Sequence, residues 1–256
     1  LPHHGAQGLS ILIEHGVGGR LLTRTITQQP ACLPQHQPDL RIGQPGAGYD
    51  HRMPSKYKTT VKAGIDWLVS IQDGKGLFGK RNYEHPVAVM ALAEAYAMSN
   101  DPALKEPTQR GIDVILERQN KEAGGSGYGL GWDYVGPNQR NDSSVTGWNV
   151  MALKSAAAGG LNIGNGMEGS KQWLEKAWKA ANPDFKPRDP YTDESGFPYT
   201  WMTDTNEAKG HPQRACIGAL CAVFLGHTAD DPMLNSLANY IMKNQVPRAY
   251  PCNTYY

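Results

Sequence analysis

The sequence lacks an excess of charge of either sign, since 25 lysines and arginines are balanced by 24 aspartates and glutamates for a net charge of +1. This balance gives no electrostatic reason to expect nucleic acid or an anionic membrane as a partner. No window approaches the length of a membrane-spanning apolar run, so we expect no transmembrane segment. The apolar run at 10–13, SILI, is also too short to predict a signal peptide.

Cysteine is scarce, and the four cysteines match neither a CxxC nor a zinc-finger spacing. Cys216 and Cys221 lie five residues apart, which places them on different faces of one predicted helix. We interpret them as buried free thiols. The cysteines therefore do not indicate the cellular compartment of the protein.

Residues 1–54 differ in texture from the rest of the chain. They contain five of the eight histidines and six of the eighteen prolines, with no sustained helical or strand period. We predict a disordered or non-native leader there. His3 and His4 could bind a metal, but a disordered polar tract is the favoured interpretation. Residues 55–256 are predicted to form the folded domain.

The stretch 62–79, KAGIDWLVSIQDGKGLFG, predicts an amphipathic helix that ends at a glycine-rich turn. The next stretch, HPVAVMALAEAYAM at 85–98, is apolar almost all round and predicts a buried helix. Asp101 and Pro102 then have the residue types of an N-cap and a first helical position.

This pair of helices recurs along the chain. The stretch 110–131 repeats 62–79, with Gln119 at the place of Gln72, and a second buried-type helix follows at 142–160. A third pair begins near Lys171 and includes 211–226, and one more amphipathic helix closes the chain. The pattern predicts an all-α fold of about three and a half helical hairpins, with no strand run. GNGMEG at 164–169 has the formal spacing GxGxxG but follows a helix, so we expect a loop there and no dinucleotide site.

The repeated order of residues supports a named resemblance. A basic residue, a small residue, an aromatic, an aliphatic, a glutamine and then Gly-x-aromatic resemble the QW repeat of squalene and hopene cyclases. The repeat also marks the α/α-toroid superfamily of terpenoid cyclases and protein prenyltransferases. The matching residues are Lys62, Ala63, Trp67, Leu68, Gln72, Gly76 and Phe78.

The resemblance is closest to bacterial prenyltransferase and squalene-oxidase repeat proteins of the planctomycete type, carried by 142–156 and 229–241. It covers roughly 55–256 and implies an α/α toroid of alternating outer and inner helices. A closed toroid needs about six such hairpins, so we expect an incomplete, truncated sequence. The residues implied to be structural staples are Trp67, Gln72, Phe78, Gln119, Trp173, Tyr240 and Gln245.

Neither catalytic signature of the resembled family is complete. The acidic motif DxDD, which would protonate an alkene, is approached only by Thr228–Asp231, which reads as a helix-capping turn. The zinc site of prenyltransferases needs a cysteine two residues after an aspartate, but Asp142 is followed by Ser143 and Ser144. We therefore predict no metal and no cofactor.

The resemblance implies that inner-helix N-termini open toward one mouth of a central cavity, where unpaired N–H groups favour acceptors. The candidate residues at these positions are His85, Asp142, Ser143, Trp148, His211 and Arg214. Helix capping and core packing are the alternative roles, and we favour them.

Three functions stay open. The first is a non-catalytic or uncharacterised module that binds an apolar small molecule or a protein partner. The second is a fragment of a terpenoid cyclase or prenyl-transforming enzyme whose catalytic motif lies elsewhere. The third is a carbohydrate-active α/α barrel, whose candidate residues are Asp133, Asp142, Asp193, Asp204, Trp132 and Trp201.

Overall fold

A computed structural model describes residues 50–122, 130–210 and 214–244, together with the backbone of two strands at 11–17 and 20–26. Helices dominate this part of the chain, which confirms the predicted all-α character. The helices are α1 (Lys58–Ile71), α2 (Glu84–Ser99), α3 (Pro102–Glu117), α4 (Ser143–Ala158), α5 (Gly166–Ala181), α6 (Ala215–Phe224) and α7 (Pro232–Asn244). The strands are β1 (Ile11–Val17), β2 (Arg20–Ile26), β3 (Arg140–Asp142), β4 (Thr200–Met202) and β5 (Ala208–Lys209).

The strands are a departure from the sequence prediction, which found no strand run. β1 and β2 form an antiparallel pair with Ile11 opposite Ile26, within the segment predicted to be a disordered leader. His3, His4 and the rest of that segment up to residue 49 lie outside the described residues. β3, β4 and β5 form an antiparallel sheet in that order. β3, β4 and β5 have only two or three residues each, which is too short for a period-two pattern, so sequence periodicity could not reveal these three strands.

The chain divides into two compact units, and the boundary falls within α3 and within α4. Unit 1 comprises 1–80, 84–112 and 155–162. Unit 2 comprises 81–83, 113–154 and 163–256. The three-stranded sheet belongs to unit 2.

Unit 1 shows the predicted alternation of an amphipathic helix and a buried one. In α1, Val61, Ile65 and Leu68 are buried on one face, while Lys62 and Asp66 pair on the exposed face. α2 is buried over most of its residues, including four of its alanines, as its apolar sequence predicts. The predicted cap at the next helix is also confirmed, because Asp101 Oδ1 accepts a hydrogen bond of 3.1 Å from the Ala103 N–H.

Unit 2 contains a contiguous core built from α5, α6 and α7 around Trp173 and Phe197, whose rings meet edge to face at 5.4 Å. α5 begins at Gly166, so the prediction of a loop through 164–169 is wrong. A Cβ at Gly166 would lie 2.7 Å from Leu116 and 2.8 Å from Leu153, so this glycine permits close helix packing. Glycine is common in loops, but at this position it lies within a helix because close packing against Leu116 and Leu153 requires a residue without a side chain.

A hydrogen-bonded clasp joins the end of α1 to the next amphipathic helix. The Gln72 side-chain amide donates to Gly76 O at 3.0 Å and to Pro107 O in α3 at 2.8 Å. Arg110 donates to the Gln72 side-chain oxygen at 2.9 Å. Gly76 has a φ of +89° and lies against the Arg110 backbone, so the turn requires glycine at this position.

The same clasp recurs in unit 2. The Gln119 amide donates to Leu130 O at 2.7 Å and to Gly166 O in α5 at 3.0 Å. At the corresponding position of the third repeat, Trp178 Nε1 donates to Ser195 Oγ at 2.9 Å, and that oxygen lies 2.6 Å from Ser236 Oγ in α7. Where tryptophan replaces the glutamine, two serine hydroxyls therefore complete the connection from α5 to α7.

Of the other predicted staples, Phe78 and Trp173 are buried, and Trp67 and Tyr240 are half-buried. Gln245 lies outside the described residues.

Candidate functional site

His85, in unit 1, has a structural role in its surroundings. Its side chain is buried, its Nδ1 accepts a hydrogen bond of 3.1 Å from the Phe78 N–H, and its Nε2 lies 2.9 Å from Gly111 O. Because Nδ1 is an acceptor and the carbonyl can only accept, the proton is assigned to Nε2. Both nitrogens are thus engaged, which favours the packing role for His85.

Asp142, in unit 2, caps α4, as the capping alternative predicts. Its Oδ1 accepts hydrogen bonds from the backbone N–H groups of Ser144 at 2.9 Å and Val145 at 3.2 Å. The Ser144 hydroxyl donates to the same oxygen at 2.6 Å. The neighbouring Ser143 is also engaged, because its hydroxyl donates to Pro198 O at 2.7 Å. These bonds fix the start of α4 against the segment that leads into β4.

Arg140 joins two buried carboxylates in front of α4. Its guanidinium forms ion pairs with Asp133 and with Asp142, the latter at 3.1 Å. Burial alone would lower the pKa of the Arg140 guanidinium, but the two negative charges outweigh it and raise the pKa. Asp142 is fully buried, where an unpaired charge would be costly. Arg140 and the N-terminus of α4 provide the compensating positive charge.

Beside this ion pair lies a group of aromatic rings that we call the tyrosine cluster, consisting of Tyr83, Tyr134, Tyr199 and Trp148. The rings of Tyr83 and Tyr134 are nearly parallel with centroids 6.0 Å apart, and Trp148 meets Tyr83 edge-on at 6.4 Å. The three tyrosines are half-buried, whereas Trp148 is buried. The cluster therefore presents partly exposed tyrosine surface above a buried indole.

Two arginines bring positive charge to the cluster. The guanidinium carbons of Arg214 and Arg140 lie 5.2 Å and 5.9 Å from the centroid of the Tyr199 ring. Both distances fall within the range of cation–π attraction. Tyr199 is thus held by two cations, one of which is itself anchored to Asp133 and Asp142.

The Tyr134 hydroxyl stays protonated in this site. Burial raises the pKa of Tyr134 most strongly, and the negative charge of Asp142 and a hydrogen bond with Tyr199 raise it further. A hydrogen bond with Ser144 acts in the opposite direction but does not outweigh these effects. At neutral pH the group is a neutral hydrogen-bonding hydroxyl rather than a phenolate base.

The structure brings several of the predicted site residues to the start of α4 and separates others. Asp142, Ser143, Trp148 and Arg214 all belong to unit 2 and lie in or beside the tyrosine cluster or the Asp142 cap. His85 belongs to unit 1, and His211 lies outside the described residues.

Sequence reasoning missed Arg140 and the three tyrosines. A signal for the region was present, because an Arg-Asn dipeptide precedes both α2 and α4, at 81–82 and 140–141. The Asn82 amide donates to Asp133 O at 2.8 Å, and the Asn141 amide donates to Trp201 O at 3.2 Å. Each asparagine therefore bonds to a segment of unit 2 that lies further along the chain.

The residues proposed for a carbohydrate-active barrel do not form exposed platforms. Trp132 is buried with its Nε1 donating to Ile115 O, and Trp201 is buried with its Nε1 donating to Asn206. Asp133 and Asp142 share Arg140. Asp193 accepts hydrogen bonds from the backbone N–H groups of 188 and 189, and Asp204 is exposed. This arrangement does not offer the stacking surfaces that sugars require.

The two described cysteines are poor candidates for nucleophiles. Burial raises the pKa of the Cys216 thiol and raises that of Cys221 to about 12. A thiol, unlike a thiolate, is a weak nucleophile and metal ligand. Among the residues that the structure describes, no three histidine, cysteine or carboxylate side chains converge in the manner of a metal site.

The chain matches no protein-family model, and no curated protein is found to be similar to it. Within the described ranges, none of the helices combines the length and apolar character needed to cross a bilayer.

Proposed function

We propose that this chain is a non-catalytic helical-repeat module of the terpenoid-cyclase and prenyltransferase toroid type, which binds an apolar small molecule at the tyrosine cluster. The observation that carries the proposal is that the polar groups around the cluster are already engaged. Asp142 is committed to a helix cap and an ion pair, and the raised pKa of Tyr134 keeps its hydroxyl neutral. Such groups can shape and orient a ligand but are poorly placed to accept or give up a proton.

The toroid-type assignment is supported by the recurring clasp. Gln72 and Gln119 each donate one bond to the following turn and one to the next amphipathic helix. This matches the staple role that the resemblance implies for the glutamine of the QW repeat. The alternation of amphipathic and apolar helices along the chain agrees with outer and inner positions in such a fold.

The exposed surfaces of the tyrosine cluster indicate which class of ligand it would bind. Half-buried tyrosine rings offer apolar faces with polar rims, a combination that suits a flat or flexible apolar molecule with one polar end. The positive charge of Arg214 beside Tyr199 favours an electron-rich end group such as an alcohol. An isoprenoid alcohol has both properties.

Farnesol titration, followed by the intrinsic fluorescence of the protein, tests this proposal. We expect Tyr83→Ala and Tyr199→Ala each to weaken binding by about tenfold, a typical effect of removing an aromatic contact. Tyr191→Ala is the matched control, because Tyr191 is 86% exposed, and we expect its affinity to equal that of the unchanged protein. Equal losses in all three variants would place the ligand elsewhere.

The non-catalytic part of the proposal has a separate test. The full chain is incubated with farnesyl diphosphate and Mg²⁺, and released pyrophosphate is measured. We expect none above the level without protein. Pyrophosphate release that Tyr134→Phe abolishes would instead assign a catalytic role to the cluster.

A further inference from the structure

A groove in unit 2 lies apart from the residues of the tyrosine cluster. It has a volume of about 590 Å³ and is formed by the C-terminal half of α5, the segment that follows α5 and the start of α7. Trp178 and Phe185 form an aromatic corner, with ring centroids 4.9 Å apart and an interplanar angle of 69°. Pro183, Pro187 and Met233 add apolar surface. The size and lining suit a small organic ligand.

One polar side chain in this lining, His227, is oriented by a hydrogen bond to a carboxylate. Its Nδ1 lies 2.7 Å from Oδ2 of Asp231, while the other oxygen of Asp231 caps α7 by accepting from the Met233 N–H at 2.8 Å. Burial tends to raise the pKa of Asp231, but hydrogen bonds from His227 and from two backbone N–H groups of α7 outweigh it and lower the pKa. An ionised carboxylate can only accept, so Nδ1 carries a proton.

The other ring nitrogen of His227 is the unexplained feature. The side chain is only 8% exposed, and its Nε2 is buried with no hydrogen-bond partner among the described residues. In the neutral tautomer that carries its proton on Nδ1, the ring presents a lone pair at Nε2. A buried polar atom without a partner is uncommon and points to a group that binds there.

We propose that this groove is a second binding site, which takes a small aromatic molecule whose hydroxyl group donates a hydrogen bond to Nε2 of His227. Trp178 and Phe185 provide the edge and face contacts that an aromatic ring prefers. Glu175 and Lys179, at the same groove, carry opposite charges. The carboxylate of Asp231, which also lines the groove, is already bonded to His227 and to two backbone N–H groups of α7, so a net charge on the ligand gains little attraction. The site therefore favours a neutral phenol over an acid or an amine.

The experiment compares two ligands on the unchanged full-length chain. 4-Hydroxybiphenyl carries the hydroxyl donor, and 4-methoxybiphenyl has nearly the same shape but no donor. Calorimetric titration should show binding of the phenol and at least about tenfold weaker binding of the ether, because the ether leaves Nε2 unpaired. In ¹⁵N spectra of histidine-labelled protein, the phenol should shift the Nε2 signal of His227.

Matched variants locate the site. We expect His227→Leu to weaken phenol binding at least about tenfold and His51→Leu to leave it unchanged. His51 is a suitable control because it makes the same kind of contact with a helix cap, 2.8 Å from Asp101. Its Nδ1 is also buried and has no hydrogen-bond partner within the described part of the chain. Tyr83→Ala should not change phenol binding, which separates this site from the tyrosine cluster.

Several results would overturn the proposal. They are equal affinity for phenol and ether, no detectable phenol binding up to its solubility, and equal losses in the His227 and His51 variants. Loss of phenol binding in Tyr83→Ala would place the ligand at the tyrosine cluster and likewise reject the groove. If His227→Leu does not fold, the two ligands and the Nε2 shift on the unchanged chain still decide the question.

Discussion

Glu94 interrupts the apolar helix α2, and its burial predicts a measurable pH dependence of stability. Burial raises the pKa of its carboxyl group to about 7 from an ordinary value of 4.5, and a long hydrogen bond of 3.4 Å from Ser155 only partly opposes this. A carboxyl group with a raised pKa binds its proton more tightly in the folded state than in the unfolded state. Stability is therefore highest when Glu94 is protonated and is lost as the pH rises through about 7.

The size of the effect follows from the two pKa values. One pKa unit corresponds to about 1.4 kcal/mol, so the full shift corresponds to about 3 kcal/mol. Between pH 5 and pH 8, the part that is lost amounts to about 2.5 kcal/mol of the free energy of unfolding. Glu94→Gln removes the titrating group. The unfolding free energy of the variant, measured relative to that of the unchanged protein, should therefore be about 2.5 kcal/mol higher at pH 8 than at pH 5.

Urea denaturation of both proteins at pH 5 and pH 8, followed by circular dichroism, measures this difference directly. Comparing the variant with the unchanged protein at each pH cancels the contributions of all other titrating groups. Glu117→Gln is the control, because Glu117 is exposed on α3 and should show no such pH-dependent gain. The burial argument is refuted if Glu94→Gln gains less than about 0.5 kcal/mol between the two pH values.

Two further predictions concern packing and the clasps. Gln119→Ala should destabilise the protein by about 1–3 kcal/mol in urea denaturation, because it removes the two buried hydrogen bonds of the clasp. Half-buried Gln172→Ala, which lies outside the clasp, should change little if the clasp carries the effect. Gly218→Ala should destabilise the protein by about 1–3 kcal/mol, because the new Cβ would lie 2.7 Å from the Phe197 ring. Gly74→Ala is the control and should not destabilise it, because the space around Gly74 is open. Similar melting temperatures for these two variants would contradict the packing described here.

The helices were largely predictable because their patterns are local. The buried helix expected at 85–98 is α2 at Glu84–Ser99, and the helix expected from Asp142 onward is α4 at Ser143–Ala158. β3, β4 and β5 were not predictable, because each has only two or three residues. The pairing of β3 with β4 also joins residues that are far apart in sequence, such as Asn141 and Trp201. The start of α5 was misjudged because Gly166 suggests a loop by residue type, while its packing against Leu116 requires a small residue.

The candidate site was predictable only at its helix cap. Asp142 is recognisable because an aspartate before an apolar helical stretch is a typical N-cap. The tyrosine cluster is different, since Tyr83, Tyr134 and Tyr199 come from three separate segments and share no sequence pattern that predicts their contact. His227 was also missed, because only the structure shows that one of its nitrogens is buried without a partner among the described residues.

The clasps also bear on how the chain folds during synthesis. Their long-range bonds join residues 35, 47 and 41 positions apart, for Gln72 with Pro107, Gln119 with Gly166 and Ser195 with Ser236. Each bond can therefore form once roughly one repeat length of chain has left the ribosome, without waiting for later hairpins. Closing loops of this modest length costs little additional entropy from one repeat to the next, so early hairpins can protect their apolar helices while the remainder is still being made.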